Sequence, residues 1–267
     1  MSAVLEASGI SVSIGALEAL SAVDLEVGEG ELVGLIGPNG AGKTTFLDAV
    51  TGFVPAGGGV RLRGQEISRL PPHRRSRLGL ARTWQTIELF DDLSVRENLA
   101  VAARRSRLAS SLSEIVLGRQ PQAELLVEDQ LSLLELEDVA EAMPSDLSQG
   151  RRKLVGIARA LAARPGLLLL DEPAAGLDTS ESLELGRVLR RLVDTGLPSL
   201  LVDHDMGLVM GICDRLYVLN FGKVIAEGTP GEIRSNPDVL AAYLGGGAAA
   251  IEGNGTSSRG PAEETRP

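Results

Sequence analysis

The chain is short of cysteine. Cys213 is the only one among 267 residues, so no internal disulfide can staple the fold, and a lone thiol gives no redox compartment. Its bland reading is a small buried apolar side chain. Long apolar sequence is also lacking: no run reaches the roughly 18 residues that a membrane span requires. Met1-Ser2-Ala3-Val4-Leu5-Glu6 has no basic segment leading into an apolar core, so no signal peptide is expected. Nor is there a surplus of positive charge. Lys and Arg number 26 against 36 Asp and Glu, a net charge of −10. Binding a phosphate backbone needs a basic face, so nucleic acid is disfavoured as the main partner. A soluble, intracellular protein is expected. The length suffices for one large domain, or for a domain with a subdomain, and no internal repeat is apparent.

What the chain does have is Gly37-Pro38-Asn39-Gly40-Ala41-Gly42-Lys43-Thr44, a Gly, four residues, then Gly-Lys-Thr. The apolar run Leu32 to Ile36 before it reads as a buried strand, and Thr45 to Val50 after it reads as the start of a helix. Glycines let backbone N–H groups turn inward around phosphate oxygens, and the helix N-terminus adds a favourable dipole. Lys43 is placed to hold the β- and γ-phosphates, and the Thr44 hydroxyl to sit on Mg²⁺. This is the pattern of a nucleotide site.

Short apolar pieces broken by glycines fill residues 4–36, and Ala22 to Val27 alternates with period two. Gly57-Gly58-Gly59 leads into Val60 to Arg63, which suits an edge strand. An antiparallel meander thus precedes the phosphate loop. From about residue 94 the period becomes helical. Ser94-Val95-Arg96-Glu97 is a capping box opening Asn98 to Leu108, and Pro121 suits the first turn of a helix carrying Leu125, Leu126, Leu131, Leu133 and Leu134. Residues 91–165 therefore read as a helical subdomain inserted into an α/β core. Gly166 to Leu170 and Ser199 to Val202 read as buried strands, with Leu185, Val188, Leu189, Leu192 and Val193 on one helical face between them. Arg215 to Asn220 and Lys223 to Glu227 make a hairpin across Phe221-Gly222, and Thr229-Pro230-Gly231-Glu232 is a second capping box. Beyond Gly245 the sequence has no period, and 246–267 reads as a disordered tail.

Leu167 to Leu170 ends in Asp171-Glu172. Open parallel sheets bind ligands at the carboxyl ends of their strands, which brings this pair beside the phosphate loop. Asp171 is expected to hold Mg²⁺ through water, and Glu172 to orient or deprotonate the attacking water. Ser148, in Leu147-Ser148-Gln149-Gly150-Arg151, is a natural N-cap for a helix from Arg152 to Ala163, and an exposed helix N-terminus is an anion site. The basic run His73, Arg74, Arg75 and Arg77 reads as a solvated helix face.

Taken together these motifs resemble the ATP-binding subunit of ABC transporters, and most closely the importer ATPases for branched-chain amino acids, from about residue 4 to residue 245. Gly37–Thr44 resembles the Walker A motif, Leu167–Glu172 Walker B, and Leu147–Arg151 the signature motif. Gln85, in Arg82-Thr83-Trp84-Gln85, matches the Q-loop glutamine, Ala175-Gly176-Leu177-Asp178 resembles the D-loop, and His204 the switch histidine. The importer group is suggested by Arg82 to Gln85, Pro173 to Leu177, His204 to Met210, Gly228-Thr229-Pro230, Asn236 to Val239 and Ala242-Tyr243-Leu244-Gly245.

The resemblance implies an α/β fold: an ABC-type P-loop NTPase core, an N-terminal antiparallel β-subdomain and the helical insertion. It implies ATP and Mg²⁺ as ligands, with Gly37 to Thr45 around the phosphates, Thr44, Gln85 and Asp171 at the metal, and Glu172, His204 and Gln85 in catalysis. Ser148 and Gly150 would serve ATP held by an opposite subunit in a homodimer or a heterodimer with a paralogue. Membrane permease subunits would be direct partners, a substrate-binding protein an indirect one, and the location the cytoplasmic face of the membrane. Two departures stand out. Gln149 and Arg151 replace the third and fifth signature residues, and Ile14 stands where many members stack an aromatic ring on adenine. Other readings stay open here: urea import, lipopolysaccharide export, a soluble ABC ATPase, or a non-hydrolysing regulatory subunit.

Overall fold

Strands buried at every residue mark the centre of the molecule. In β3 (Leu32–Ile36), β7 (Leu167–Asp171) and β8 (Ser199–Val202) every residue is buried, as expected of strands covered on both faces. The computed structural model describes residues 3–85, 89–105 and 121–243. With β6 (Leu80–Arg82), β9 (Arg215–Asn220) and β10 (Lys223–Gly228), these strands form a six-stranded sheet ordered β10-β9-β3-β8-β7-β6. It is parallel except for β10, which folds back on β9 through Phe221-Gly222.

A second, antiparallel sheet has the order β2-β1-β4-β5, from β1 (Ala3–Ile14), β2 (Leu17–Gly28), β4 (Gly57–Leu62) and β5 (Gln65–Glu66). The strand expected at Val60–Arg63 begins three residues earlier, and it is not the edge. The two-residue β5 covers its outer side.

Period two along β7 divides the core. Leu168 and Leu170 pack with the helices on one face, whereas Leu167 and Leu169 join the cluster under the antiparallel sheet. On the second face lies α1 (Lys43–Thr51), with Phe46, Leu47 and Val50 fully buried. Its helix starts at Lys43, two residues before the sequence suggests. A short α2 (Pro72–Arg77) follows β5.

On the first face lie α3 (Val95–Arg105), α4 (Pro121–Leu133), α5 (Gln149–Leu161) and α6 (Thr179–Asp194). The capping box at α3 forms as expected: Ser94 N donates to Glu97 Oε2 at 2.8 Å, and Glu97 N to Ser94 Oγ at 3.2 Å. Whether this helix reaches Leu108 lies outside the described residues, as does the whole stretch 246–267. In α4, Leu126, Leu131 and the following Leu134 are buried, but Leu125 is exposed. All five positions foreseen in α6 are buried. Helix α5 begins at Gln149 rather than Arg152, since Ser148 caps it by accepting from Arg151 N. After β8 comes α7 (Met206–Ile212), and after β10 comes α8 (Pro230–Ser235), opened by the expected capping box of Thr229 and Glu232. Among the described residues no helix is long and apolar enough to cross a membrane.

Candidate functional site

The carboxyl ends of β3, β7 and β8 lie side by side, and the loops leaving β3 and β7, with the β1–β2 and β9–β10 turns, build a cleft of about 390 Å³. Its floor is Asn39, Gly40, Ala41, Gly42, Lys43, Thr44 and Thr45. Gly37 and Pro38 do not line the cleft but support it. Lys43 Nζ donates to the Gly37 carbonyl at 2.7 Å and to that of Pro38 at 3.0 Å. Gly37 has φ of 152°, and a Cβ there would stand 2.0 Å from the Leu219 carbonyl oxygen, so the loop can leave β3 only through glycine. Lys43 is buried, and desolvation pulls its pKa below the ordinary lysine value, against the opposing charges of Glu172 and Asp203.

Glu172 lines the same cleft. Its φ of 46° is left-handed, a conformation that costs a side-chain-bearing residue about 1 kcal/mol. Backbone contacts hold it there: Glu172 N donates to Val202 O at 2.7 Å, and its own carbonyl accepts from the buried Lys153 Nζ at 3.4 Å. The carboxylate accepts from Gln85 Nε2 at 2.9 Å and has His204 Nδ1 at 3.8 Å. His204 itself sits on a rigid mount. Asp203, fully buried, accepts from the backbone N–H groups of Ala174, His204 and Asp205, so the turn after β8 is fixed while the imidazole stays exposed.

Asp171 is buried and engaged: Arg82 Nη2 donates to its Oδ2 at 2.7 Å. Its remaining oxygen and the Thr44 hydroxyl would make a sparse metal donor set. Among the described residues no group of three or more His, Cys, Asp or Glu side chains could hold a metal. That set fits Mg²⁺, which keeps several waters and is held by one or two protein groups plus substrate phosphates. Gln85 spends its amide nitrogen on Glu172, leaving its oxygen for a cation.

Ile14 and Leu17 stand exposed on one wall of the cleft, at the turn between β1 and β2. Ser148 and Gly150 are not among its lining residues. They lie at the N-terminus of α5, where Gly150 N donates to Glu181 Oε1 at 3.2 Å. Arg151 turns away to its own subunit's Asp138, at 2.5 Å, and to the Glu135 carbonyl.

Sequence reasoning missed four residues. Arg82 reaches Asp48 and Asp171; Arg75 is buried rather than solvated, donating to four carbonyls; Lys153 holds the Glu172 carbonyl; and Phe221 lines the cleft. The first three reach partners 19 or more residues away, apart from two of the carbonyls bound by Arg75, and local patterns do not register such contacts. Phe221 left one legible sign, an aromatic in a two-residue hairpin turn.

The family model described as "ABC transporter" matches residues 20–175, and one described as "Branched-chain amino acid ATP-binding cassette transporter" matches residues 223–249. The chain is 43% identical over 248 residues to the high-affinity branched-chain amino acid transport ATP-binding protein LivG of Salmonella typhimurium, covering 90% of this chain and 97% of the relative. It is 38% identical over 245 residues to the lipopolysaccharide export system ATP-binding protein LptB of Escherichia coli, covering 91% and 98%. Among solved structures it is similar to the ADP conformation of MJ1267, an ATP-binding cassette of an ABC transporter, with TM-score 0.80, 30% identity and coverage of 92% and 100%. A dimeric post-hydrolysis state of the cassette MJ0796, bound to ADP and Pi, matches with TM-score 0.69 at 26% identity, covering 85% and 98%.

Proposed function

The chain belongs to the ABC transporter family, and on that premise we infer that it is the ATP-hydrolysing subunit of an importer for branched-chain amino acids. The observation that carries the reading is the convergence of Lys43, Thr44 and Glu172 on one cleft, with Gln85 and His204 touching or facing the Glu172 carboxylate.

Lys43 and the amides of Gly40 to Thr45 hold the β- and γ-phosphates at the N-terminus of α1. Thr44, Gln85 and Asp171 would hold Mg²⁺, which would supply charge neutralisation on the phosphates. Glu172 orients the attacking water and takes its proton, while Gln85 and His204 fix the carboxylate's direction. The cleft leaves one side of the nucleotide open, and transition-state charge needs donors on all sides. Ser148 and Gly150, remote from their own subunit's cleft, fit that role for a nucleotide held by an opposite subunit. Gly150 must then exchange Glu181 for phosphate when two subunits close.

Helices α3, α4 and α5 pass this closure to transmembrane permease subunits at the cytoplasmic face of the membrane. A substrate-binding protein takes part only indirectly, and nucleic acid does not. The C-terminal match over residues 223–249 favours branched-chain amino acids as cargo over lipopolysaccharide. Deleting the subunit is expected to reduce uptake of radiolabelled leucine, isoleucine and valine, with rescue by the parent chain but not by Lys43→Ala. Unchanged uptake of all three in a strain without a redundant importer would refute the cargo assignment.

A further inference from the structure

We propose that Arg82 is a positioning residue which ties Asp171, at the end of β7 beside the cleft residue Glu172, to the exposed aromatic pair Trp84–Phe53, so that the occupancy of the cleft is transmitted to Trp84. The proposal rests on the nucleotide reading of the cleft given above.

The guanidinium of Arg82 is 5% exposed and sits between three elements. One end donates to Asp171 Oδ2 at 2.7 Å, on β7. The other donates to Asp48 Oδ1 at 2.6 Å and reaches Thr51 Oγ1 at 3.4 Å, both on the helix that follows the phosphate loop. Its flat face lies against Trp84, with Cζ 4.3 Å from the ring centroid. Trp84 in turn meets Phe53 edge to face, at 5.1 Å and 81°. Phe53 is anchored just past the end of that same helix, where its N–H donates to Asp48 O at 2.8 Å.

A buried ion pair that served stability alone would not need this shape. Hydrophobic residues of similar volume often replace such pairs without loss. Here one planar cation uses both ends on two carboxylates and its face on an indole, which a lysine point charge cannot do. Its Nε is buried with no partner, so the group is held by those contacts rather than by a full hydrogen-bond complement. The backbone repeats the connection. Thr83 N donates to Leu169 O at 2.9 Å, and Asp171 N to Thr83 Oγ1 at 3.4 Å. Thus the strand end that carries Asp171 is hydrogen-bonded to the residue that precedes Trp84.

When charge arrives at the free oxygen of Asp171, the carboxylate's hold on Arg82 weakens and Asp48 takes a larger share. The guanidinium then shifts over the indole, and the cation–π contact changes with it. Trp84 and Phe53 are about half exposed, so the change emerges at the surface.

The chain carries one tryptophan, so its intrinsic fluorescence reports Trp84 alone. The full-length protein is titrated with Mg-ATP while binding is followed separately by equilibrium dialysis of radiolabelled ATP. The wild type is expected to show a saturable emission change at the same concentration as binding. Arg82→Lys is expected to bind ATP within about threefold of the wild type, yet to lose the emission change at least about fivefold, with kcat falling and KM held. Asp48→Asn, which touches no nucleotide, is expected to halve the response and decides the matter if Arg82→Lys does not fold. An undiminished response in either folded variant, or ATP binding by the wild type with no response, overturns the proposal. No ATP binding by the wild type would instead sink the nucleotide reading on which it rests.

Discussion

Arg75→Met tests the idea that the phosphate-binding helix is clamped from behind. Arg75 is 4% exposed and spends its guanidinium on four backbone carbonyls: Leu70 at 2.8 Å, Ser68 at 2.6 Å, Ala49 at 2.9 Å and Val50 at 2.6 Å. Ala49 and Val50 belong to the last turn of α1, whose carbonyls have no partner within the helix, and a cation there is also favoured by the negative end of the helix dipole. Methionine keeps the stem and removes the donors. Ala49 O retains Gly52 N, so three acceptors lose a strong partner. Each buried acceptor left bare costs roughly 1–3 kcal/mol, and partial hydration of the outer ones brings the expected loss to about 3–5 kcal/mol. At about 2–4 °C per kcal/mol for a chain of this size, the melting temperature should fall by about 10 °C. Gly52→Ala should act through the same contact, because Gly52 has φ of 82° and a Cβ there would stand 2.8 Å from Arg75 Nε. Calorimetry and urea unfolding give the two readouts. A loss below about 1 kcal/mol for Arg75→Met, the range of ordinary surface substitutions, would refute the reasoning.

Phe221 is 86% exposed on the rim of the cleft, in a turn pinned to the phosphate loop where Gly222 N donates to Ala41 O at 2.9 Å. With Ile14 and Leu17 it offers an apolar wall to the nucleotide base, so Phe221→Ala should weaken ATP binding about 5–10-fold and leave tripolyphosphate binding unchanged; equal affinity for ATP would remove Phe221 from the site. Ser148→Arg should keep ATP binding by the single subunit and lose hydrolysis that rises with protein concentration, because its bulk would block a facing subunit. Loss of binding by the isolated subunit would instead assign Ser148 to its own nucleotide.

The legible parts of the molecule were those written in local periods and spacings. The continuous apolar runs Leu32 to Ile36 and Gly166 to Leu170 read as buried strands, matching β3 and β7, and the face of α6 was plain from Leu185 to Val193. The capping boxes at Ser94 and Thr229 fixed two helix starts, because both partners lie within four residues. Boundaries shifted where the terminal turn is shaped by neighbours. Helix α1 takes in Lys43 because its backbone ladder starts at Gly42, whose carbonyl accepts from Phe46 N at 2.9 Å, and α5 takes in Gln149 because Ser148 caps it. The buried arginines were not legible. Arg75 lies in a run of basic residues that looks like a solvated face, and only the meeting of α2 with the end of α1, 25 residues away, buries it. Arg82 meets Asp171 across 89 residues, a contact made by the pairing of β6 with β7. The left-handed backbone of Glu172 left no mark on the sequence either, since glutamate is not a residue chosen for that conformation.

Steady-state hydrolysis of Mg-ATP by Glu172→Gln, measured beside size-exclusion chromatography with and without ATP, tests most directly whether this cleft hydrolyses nucleotide between two subunits. Removing a base or water-orienting group costs about 10²–10⁴ in rate, so turnover should collapse by that factor while ATP binding persists and an ATP-dependent dimer accumulates. Activity within about threefold of the parent chain, with no dimer, would contradict the account.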